Sequence, residues 1–268
     1  MRFRFALVTD VHFGPAGYFG GKLRKLGHQA NSLTAAFVEH MNAVERPDLV
    51  VNLGDVVEDA DREQDRAAYG EFVGLLQRLE APVLHVAGNH DQIFLTEDDL
   101  RELWGHAGRL FYSRDVGPLH FAVLNTLEQK HVDVRLPAEQ LEWLRDDLAA
   151  ATRPVVVLMH HPASDQRLDG NRWFDDAPHI CRLTERRALR KILEESGKVA
   201  AVFNGHVHWN HLDVIRGIPY VTLQSLTENL DDDAPGRPSR AHAVVDVEER
   251  RLRVRVAGEN PARYQFEL

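Results

Sequence analysis

The sequence of 268 residues holds a single cysteine, Cys181. An internal disulfide framework is therefore excluded, as is a thiolate cluster for zinc or iron–sulfur. A lone cysteine fits a reducing compartment, and a cytoplasmic protein is expected. No apolar run approaches the roughly 18 residues that span a bilayer, so no membrane partner is expected. The first ten residues carry basic side chains and a short apolar run, but Asp10 and His12 follow at once; the segment reads as a strand rather than a signal peptide. Positive charge is also scarce: 32 Lys+Arg against 41 Asp+Glu give a net charge of −9. That balance argues against a nucleic-acid partner, because phosphate backbones attract basic faces. No internal repeat is present. Histidine, in contrast, is abundant at 15 residues, which directs attention to metal chemistry.

Five apolar runs share one form, a short strand-like stretch ending in a polar residue able to bind a metal. Residues 5–8 precede Asp10, 49–53 precede Asp55, 83–86 precede Asn89, 155–158 precede His160 and 199–203 precede His206. Near-continuous β-branched runs suit strands buried on both faces. Between them, residues 28–45, 63–79, 138–150 and 184–195 show helical spacing of apolar positions. Further strands are expected at 119–125, 130–136, 212–215, 219–224, 241–247 and 251–257. Strands alternating with helices predict an α/β fold, with two packed sheets and helices outside. Residues 1–268 read as one domain in which a β-rich portion, about 208–268, completes the second sheet. Leu230–Arg240 reads as a mobile loop, and 163–180 as a long polar loop of the kind that often carries function.

In an open α/β sheet, ligands bind at the carboxyl ends of the strands. Placed there, the strand-end residues gather Asp10, His12, Asp55, Asn89, His160, His206 and His208. Asp10-Val-His12 and His206-Val-His208 have i, i+2 spacing, so in extended chain both members of each pair point the same way. Seven such ligands are too many for one tetrahedral ion and suit two ions sharing a bridging carboxylate. Nitrogen and oxygen donors without sulfur fit manganese, iron or zinc and do not choose among them. Each motif alone has a plainer explanation: Asp-x-His as a turn or cap, Gly88-Asn89-His90-Asp91 as a tight turn. Five of them, each closing an apolar run, leave the plain explanation hard to sustain.

The order Asp10-x-His12, Gly54-Asp55, Gly88-Asn89-His90-Asp91, His160 and Gly205-His206-x-His208 resembles the calcineurin-like metallophosphoesterases, over residues from about 5 to 225. The resemblance implies a four-layer α-β-β-α sandwich with two mixed sheets and a dinuclear centre at the strand carboxyl ends. It implies that Asp10, His12 and His208 hold one ion, that Asn89, His160 and His206 hold the other, and that Asp55 bridges them. It further implies in-line attack on phosphorus by a metal-bound hydroxide. His90 then stabilises the transition state or protonates the leaving oxygen, and Asp91 orients its imidazole.

Departures from the pattern narrow the group. Protein Ser/Thr phosphatases carry Asp-Arg-Gly after the second motif, where this chain has Val56-Val57-Glu58-Asp59. Purple acid phosphatases place a tyrosine ligand where Glu58 stands, and enzymes acting on lipid A precursors an arginine where His90 stands. What remains resembles the bacterial group of class III cyclic nucleotide phosphodiesterases and glycerophosphodiesterases. A phosphodiesterase on small phosphodiesters is thus expected, with a phosphomonoesterase as the alternative and a non-catalytic metal-binding scaffold as the rival from another class. A nuclease is disfavoured by the overall acidity. A homo-oligomer through an edge of the C-terminal strands stays open.

Outside the cluster, His28, His40, His106, His120, His131 and His242 read as surface or packing residues and His85 as core or interface. His161 points away from the cluster if its strand continues, whereas His179 and His211 are candidates for the pocket lining. Cys181 reads as a small buried hydrophobe. The segment 14–27, with Lys22, Arg24 and Lys25, reads either as a solvated loop or as a flexible basic lid that gathers anionic substrate. Arg167, Asn171, Arg172 and Trp173 are candidates for contact with a phosphate or a base.

Overall fold

Strands of β-branched residues alternate with amphipathic helices along the chain. In the computed structural model, which describes residues 2–249 and 251–267, the first part runs β1 (Arg2–Val8), β2 (Ala16–Phe19), β3 (Lys22–Leu26), α1 (Ala30–His40), β4 (Leu49–Asn52), α2 (Arg62–Leu76), β5 (Val83–His85) and α3 (Glu97–Trp104). The middle part follows with β6 (Tyr112–Val116), β7 (Leu119–Val123), β8 (Leu127–Gln129), β9 (Asp133–Arg135), α4 (Ala138–Ala150), β10 (Val155–Leu158), α5 (Arg186–Ser196) and β11 (Val199–Asn204). Five strands close it: β12 (His211–Ile215), β13 (Ile218–Thr222), β14 (His242–Glu248), β15 (Arg251–Ala257) and β16 (Ala262–Glu267).

Two six-stranded sheets form, with strand orders β16-β15-β14-β1-β4-β5 and β12-β13-β11-β10-β7-β6. Both are mixed: β1, β4 and β5 run parallel, as do β7, β10, β11 and β13, while β14 is antiparallel to β1 and β12 to β13. Alternation along each strand sorts the side chains into layers. Phe5, Leu7, Val51 and Val245 of the first sheet meet Phe121, Val156, Leu158 and Phe203 of the second in a shared core. The opposite faces, Ala6, Val8 and Val50 on one sheet and Val155, Val157 and Val202 on the other, pack beneath α1–α3 and α4–α5 respectively. The result is the four-layer α-β-β-α sandwich. No helix among the described residues is long and apolar enough to cross a membrane.

Three local features differ from expectation. The C-terminal strands divide between the sheets: β12 and β13 extend the second, but β14–β16 extend the first through pairing of Leu7 with Ala243 and Arg2 with Glu248. The reason is the pattern of β14 and β15, whose Ala243, Val245, Val247, Leu252, Val254 and Val256 all face the shared core beside β1. Segment 14–27 is not an open loop but the β2–β3 hairpin, turned at Gly20 and Gly21, both in the left-handed region that such tight turns require. Leu230–Arg240 is tied down, its backbone N–H groups at Asp231 and Arg237 donating to the Asn229 side chain and Asp232 pairing with Arg24 at 2.6 Å.

Candidate metal centre

The cluster sits across the strand ends of both sheets. Asp10 and His12 follow β1, Asp55 follows β4, Asn89 follows β5, His160 follows β10, and His206 and His208 follow β11. Five of these seven leave their strands through left-handed backbone: Asp10 (φ 51°), His12 (48°), Asp55 (54°), His206 (68°) and His208 (59°). Such conformations are uncommon for residues other than glycine and gather at functional sites. The i, i+2 pairs are therefore kinked rather than extended, and His206 and His208 face different partners. The kink at Asp55 is held by Asp91, fully buried. Its carboxylate accepts from the backbone N–H groups of Asp55 (3.0 Å), Val56 (2.8 Å) and Gly88 (2.9 Å).

Two groups of donor atoms result. In one, His12 Nε2 and His208 Nε2 lie 3.1 Å apart and His208 Nε2 is 3.3 Å from Asp10 Oδ1. In the other, Asn89 Oδ1 lies 3.1 Å from His206 Nδ1, and His160 Nε2 is 3.2 Å from Asp55 Oδ2. Asp55 Oδ2 is also 3.9 Å from His12 Nε2, so this carboxylate faces both groups. Donors about 2.1 Å from a common ion stand roughly 3.0–3.4 Å from one another, which is the spacing found. The buried His160 Nε2 makes no well-aligned hydrogen bond and faces the Asp55 carboxylate, as a ligand atom beside a bridging carboxylate would. The residues thus fit a pair of metal ions.

Three of the imidazoles have their other nitrogen hydrogen-bonded and the fourth, His12, has its Nδ1 against a carboxylate, contacts that select the tautomer and aim the ring. His160 Nδ1 donates to the Leu53 carbonyl at 2.8 Å and His206 Nε2 to that of Ile180 at 3.3 Å. His208 Nδ1 donates to Glu228 Oε2 at 2.8 Å, and Glu58 Oε2 lies 2.9 Å from His12 Nδ1. Glu58 and Glu228 were invisible as site residues in the sequence, although Glu58 follows Asp55 by only three positions.

Charge follows the same geometry. Burial pushes both aspartates up, but the imidazoles facing them prevail: Asp10 is held at about 2, chiefly by His208, and Asp55 well below the carboxylate range, chiefly by His160 and His90. Burial drives His12 down to about 4 and His206 to about 3, neutral as ligands must be. His160 and His208 instead rise to about 10 and about 9, because Asp55 and Asp10 outweigh burial. The attraction of Asp55 and Asp10 that raises these two imidazoles would act equally on a divalent ion.

His90 lines the cleft beside the cluster. Its Nδ1 pairs with Asp59 Oδ1 at 2.8 Å, so the expected orienting role of Asp91 is corrected: Asp91 is committed to backbone N–H groups, and Asp59 holds the imidazole. His161 is also corrected. Because β10 ends at Leu158, strand alternation lapses, and the His161 ring lies buried 4.1 Å from that of His206 with Nδ1 against Thr126 Oγ1. His211 faces Asp213 at 3.3 Å and His179 is exposed, whereas His131 lines the cleft. The basic lid is also a misreading: Lys22 and Arg24 pair with Asp232, and Lys25 with Glu58. Arg167 pairs with Asp169, Asn171 donates to the Val207 carbonyl and Arg172 to that of Asn229; only Trp173 of that loop set reaches the cleft beside His90.

Paired ligand groups of this kind serve in-line displacement at phosphorus. The chain belongs to the calcineurin-like phosphoesterase family, whose sequence model matches residues 3–210; it is a metallophosphoesterase. A probable cyclic nucleotide phosphodiesterase of Fibrobacter succinogenes is 26% identical over 203 residues, covering 75% of this chain and 71% of that one. A cAMP/cGMP dual specificity phosphodiesterase of Mycobacterium tuberculosis is 27% identical over 227 residues, 82% of this chain but only 66% of its own length. The fold is similar to that of a dimetal phosphatase from Danio rerio, with a TM-score of 0.81 at 19% identity over 99% of this chain and 98% of that one.

Proposed function

We propose that this enzyme hydrolyses small phosphodiesters. The observation that carries the reading is the engagement of the cations around the cleft. Of the residues lining the cleft at His90, about 190 Å³ in volume, the one lysine is Lys130, which lies 3.1 Å from Asp59. A monoester brings a second negative charge that needs a cationic partner beyond the leaving-group donor His90, and here it would meet the Glu128 carboxyl instead. A diester needs room for a second substituent. A second cleft of about 190 Å³, lined by Asn171, Arg172, Trp209 and Gln224, meets the first at His208 and Trp173. The names of the two relatives point to the same chemistry.

In this reading Asp10, His12 and His208 would hold one ion and Asn89, His160 and His206 the other, with Asp55 serving both. The donor set fits manganese, iron or zinc. Bound ions would supply Lewis-acid charge for the phosphoryl oxygens and a nucleophile from water at neutral pH. His90 is the proton donor to the leaving oxygen. Burial opposes its charge, but Asp55 and Asp59 raise its pKa, which keeps a proton on Nε2, the nitrogen that Asp59 leaves free. Asp91 acts at one remove, by fixing the backbone that carries Asp55. The lone buried Cys181 suits a reducing compartment such as the cytoplasm, and the shared core suits residues 1–268 working as one domain.

The test is the ratio of kcat/KM for bis-p-nitrophenyl phosphate to that for p-nitrophenyl phosphate after manganese reconstitution. A ratio well above one is expected. A ratio well below one would make the enzyme a monoesterase, and turnover of neither substrate by protein with both ions bound would favour the scaffold.

A further inference from the structure

Two segments outside the ligand set meet behind His12 and His208. Lys25, in the stem of the β2–β3 hairpin, is buried with Nζ 2.6 Å from Glu58 Oε1. The other Glu58 oxygen faces His12 Nδ1. From loop 163–180, Trp173 Nε1 donates to Glu228 Oε2 at 3.2 Å, the same oxygen that accepts from His208 Nδ1. Lys25 Nζ stands 5.2 Å from the centroid of the Trp173 ring, within reach of a cation–π attraction. His12, Glu58, Lys25, Trp173, Glu228 and His208 therefore close into a ring of side chains. The backbone builds it: Lys25 bridges antiparallel to Glu228, Leu26 N–H donates to the Thr227 carbonyl at 2.9 Å, and Asn229 N–H donates to that of Arg24 at 2.7 Å.

The arrangement is one-sided. The free nitrogens of His160 and His206 rest on main-chain carbonyls, which no side-chain substitution removes. Those of His12 and His208 rest on two glutamates, and a buried carboxylate holds its place only while it is paired. Lys25 pairs Glu58, and Trp173 fixes Glu228. We infer that Lys25 and Trp173 are positioning residues for one metal position alone, the one bordered by Asp10, His12 and His208, and set its affinity without touching the ion. The inference rests on the ligand assignment proposed above.

Manganese titration of the full chain, with bound ions counted by elemental analysis, tests it. Lys25→Met and Trp173→Phe should each leave one ion at wild-type affinity and weaken the other by about 10–100-fold, the usual effect of removing a partner behind a ligand. The double variant should lose less than the product of the two single losses, because both act on one ring. Lys25→Arg should recover part of the loss, and Lys22→Met on the same hairpin should bind both ions as wild type does. Equal weakening of both ions, or no change in either, would overturn the inference. If Lys25→Met does not fold, Glu58→Gln carries the same expectation. His208→Ala in the same titration isolates the ligand assignment: retention of both ions there would show that the assignment had failed, rather than the role of the ring.

Discussion

His90 and His120 show how the same residue type serves two ends. His90 lies between Asp59 and the cleft, so its imidazole is held but one nitrogen stays available. His90→Ala should keep both metal ions and slow turnover by roughly 10²–10⁴-fold, measured as kcat at saturating manganese with ion content determined in parallel; wild-type turnover would exclude the proton-donor role. His120 has no free nitrogen. Nδ1 is 2.7 Å from Asp115 and Nε2 2.8 Å from Asp147, and these carboxylates outweigh burial to raise its pKa. A raised folded-state pKa contributes stability that is fully present below the unfolded value of about 6.5 and is lost as pH climbs through the raised value. The Tm difference between wild type and His120→Gln should accordingly be larger at pH 5.5 than at pH 9. A difference that did not vary with pH would mean that the clamp contributes packing alone.

At the scale of elements, the strand-end loops fit together only because glycine stands where they cross. A Cβ on Gly88 would overlap Asp55 Oδ1 and its backbone N, and one on Gly205 would overlap Thr9 Oγ1 and Asp10 Oδ2. Gly88→Ala should therefore displace the carboxylate that serves both groups and reduce manganese binding at both positions. Gly74→Ala on α2, where a Cβ meets nothing within 4 Å, should bind metal normally and gain about 0.5–1 kcal/mol of stability by urea titration. The strands that end in ligands are readable from sequence because Val50-Val51 and Val155-Val156-Val157 are β-branched on both faces, and the ligands because each closes such a run. Helix α3 is not: its eight residues include three acids in the first turn, and its start is marked by the Thr96–Asp99 capping box rather than by apolar spacing. The partners behind the histidines escape sequence reading for another reason. Glu228 is 20 residues from His208 in the chain, and Asp59 is 31 from His90, so neither has a local signature, and two of the four supports are main-chain carbonyls that any residue would supply.

For the molecule as a whole, ligands drawn from both sheets make metal binding a property of the native state. Manganese at about a hundred times its Kd should add about 2.7 kcal/mol per ion, seen as a rise in Tm that EDTA reverses; an unchanged Tm would mean that the folded protein holds no ion. The topology also sets a schedule for synthesis. Of the sixteen strands described, β1 leaves the ribosome first, yet it lies inside its sheet and its partner on one side is β14, some 240 residues later. Until residues 242–248 emerge, β1 presents an open edge of the kind that draws foreign strands. The nascent chain must wait with Asp10 and His12 already made and Glu228 still to come, so the centre closes only when strands more than two hundred residues downstream have emerged.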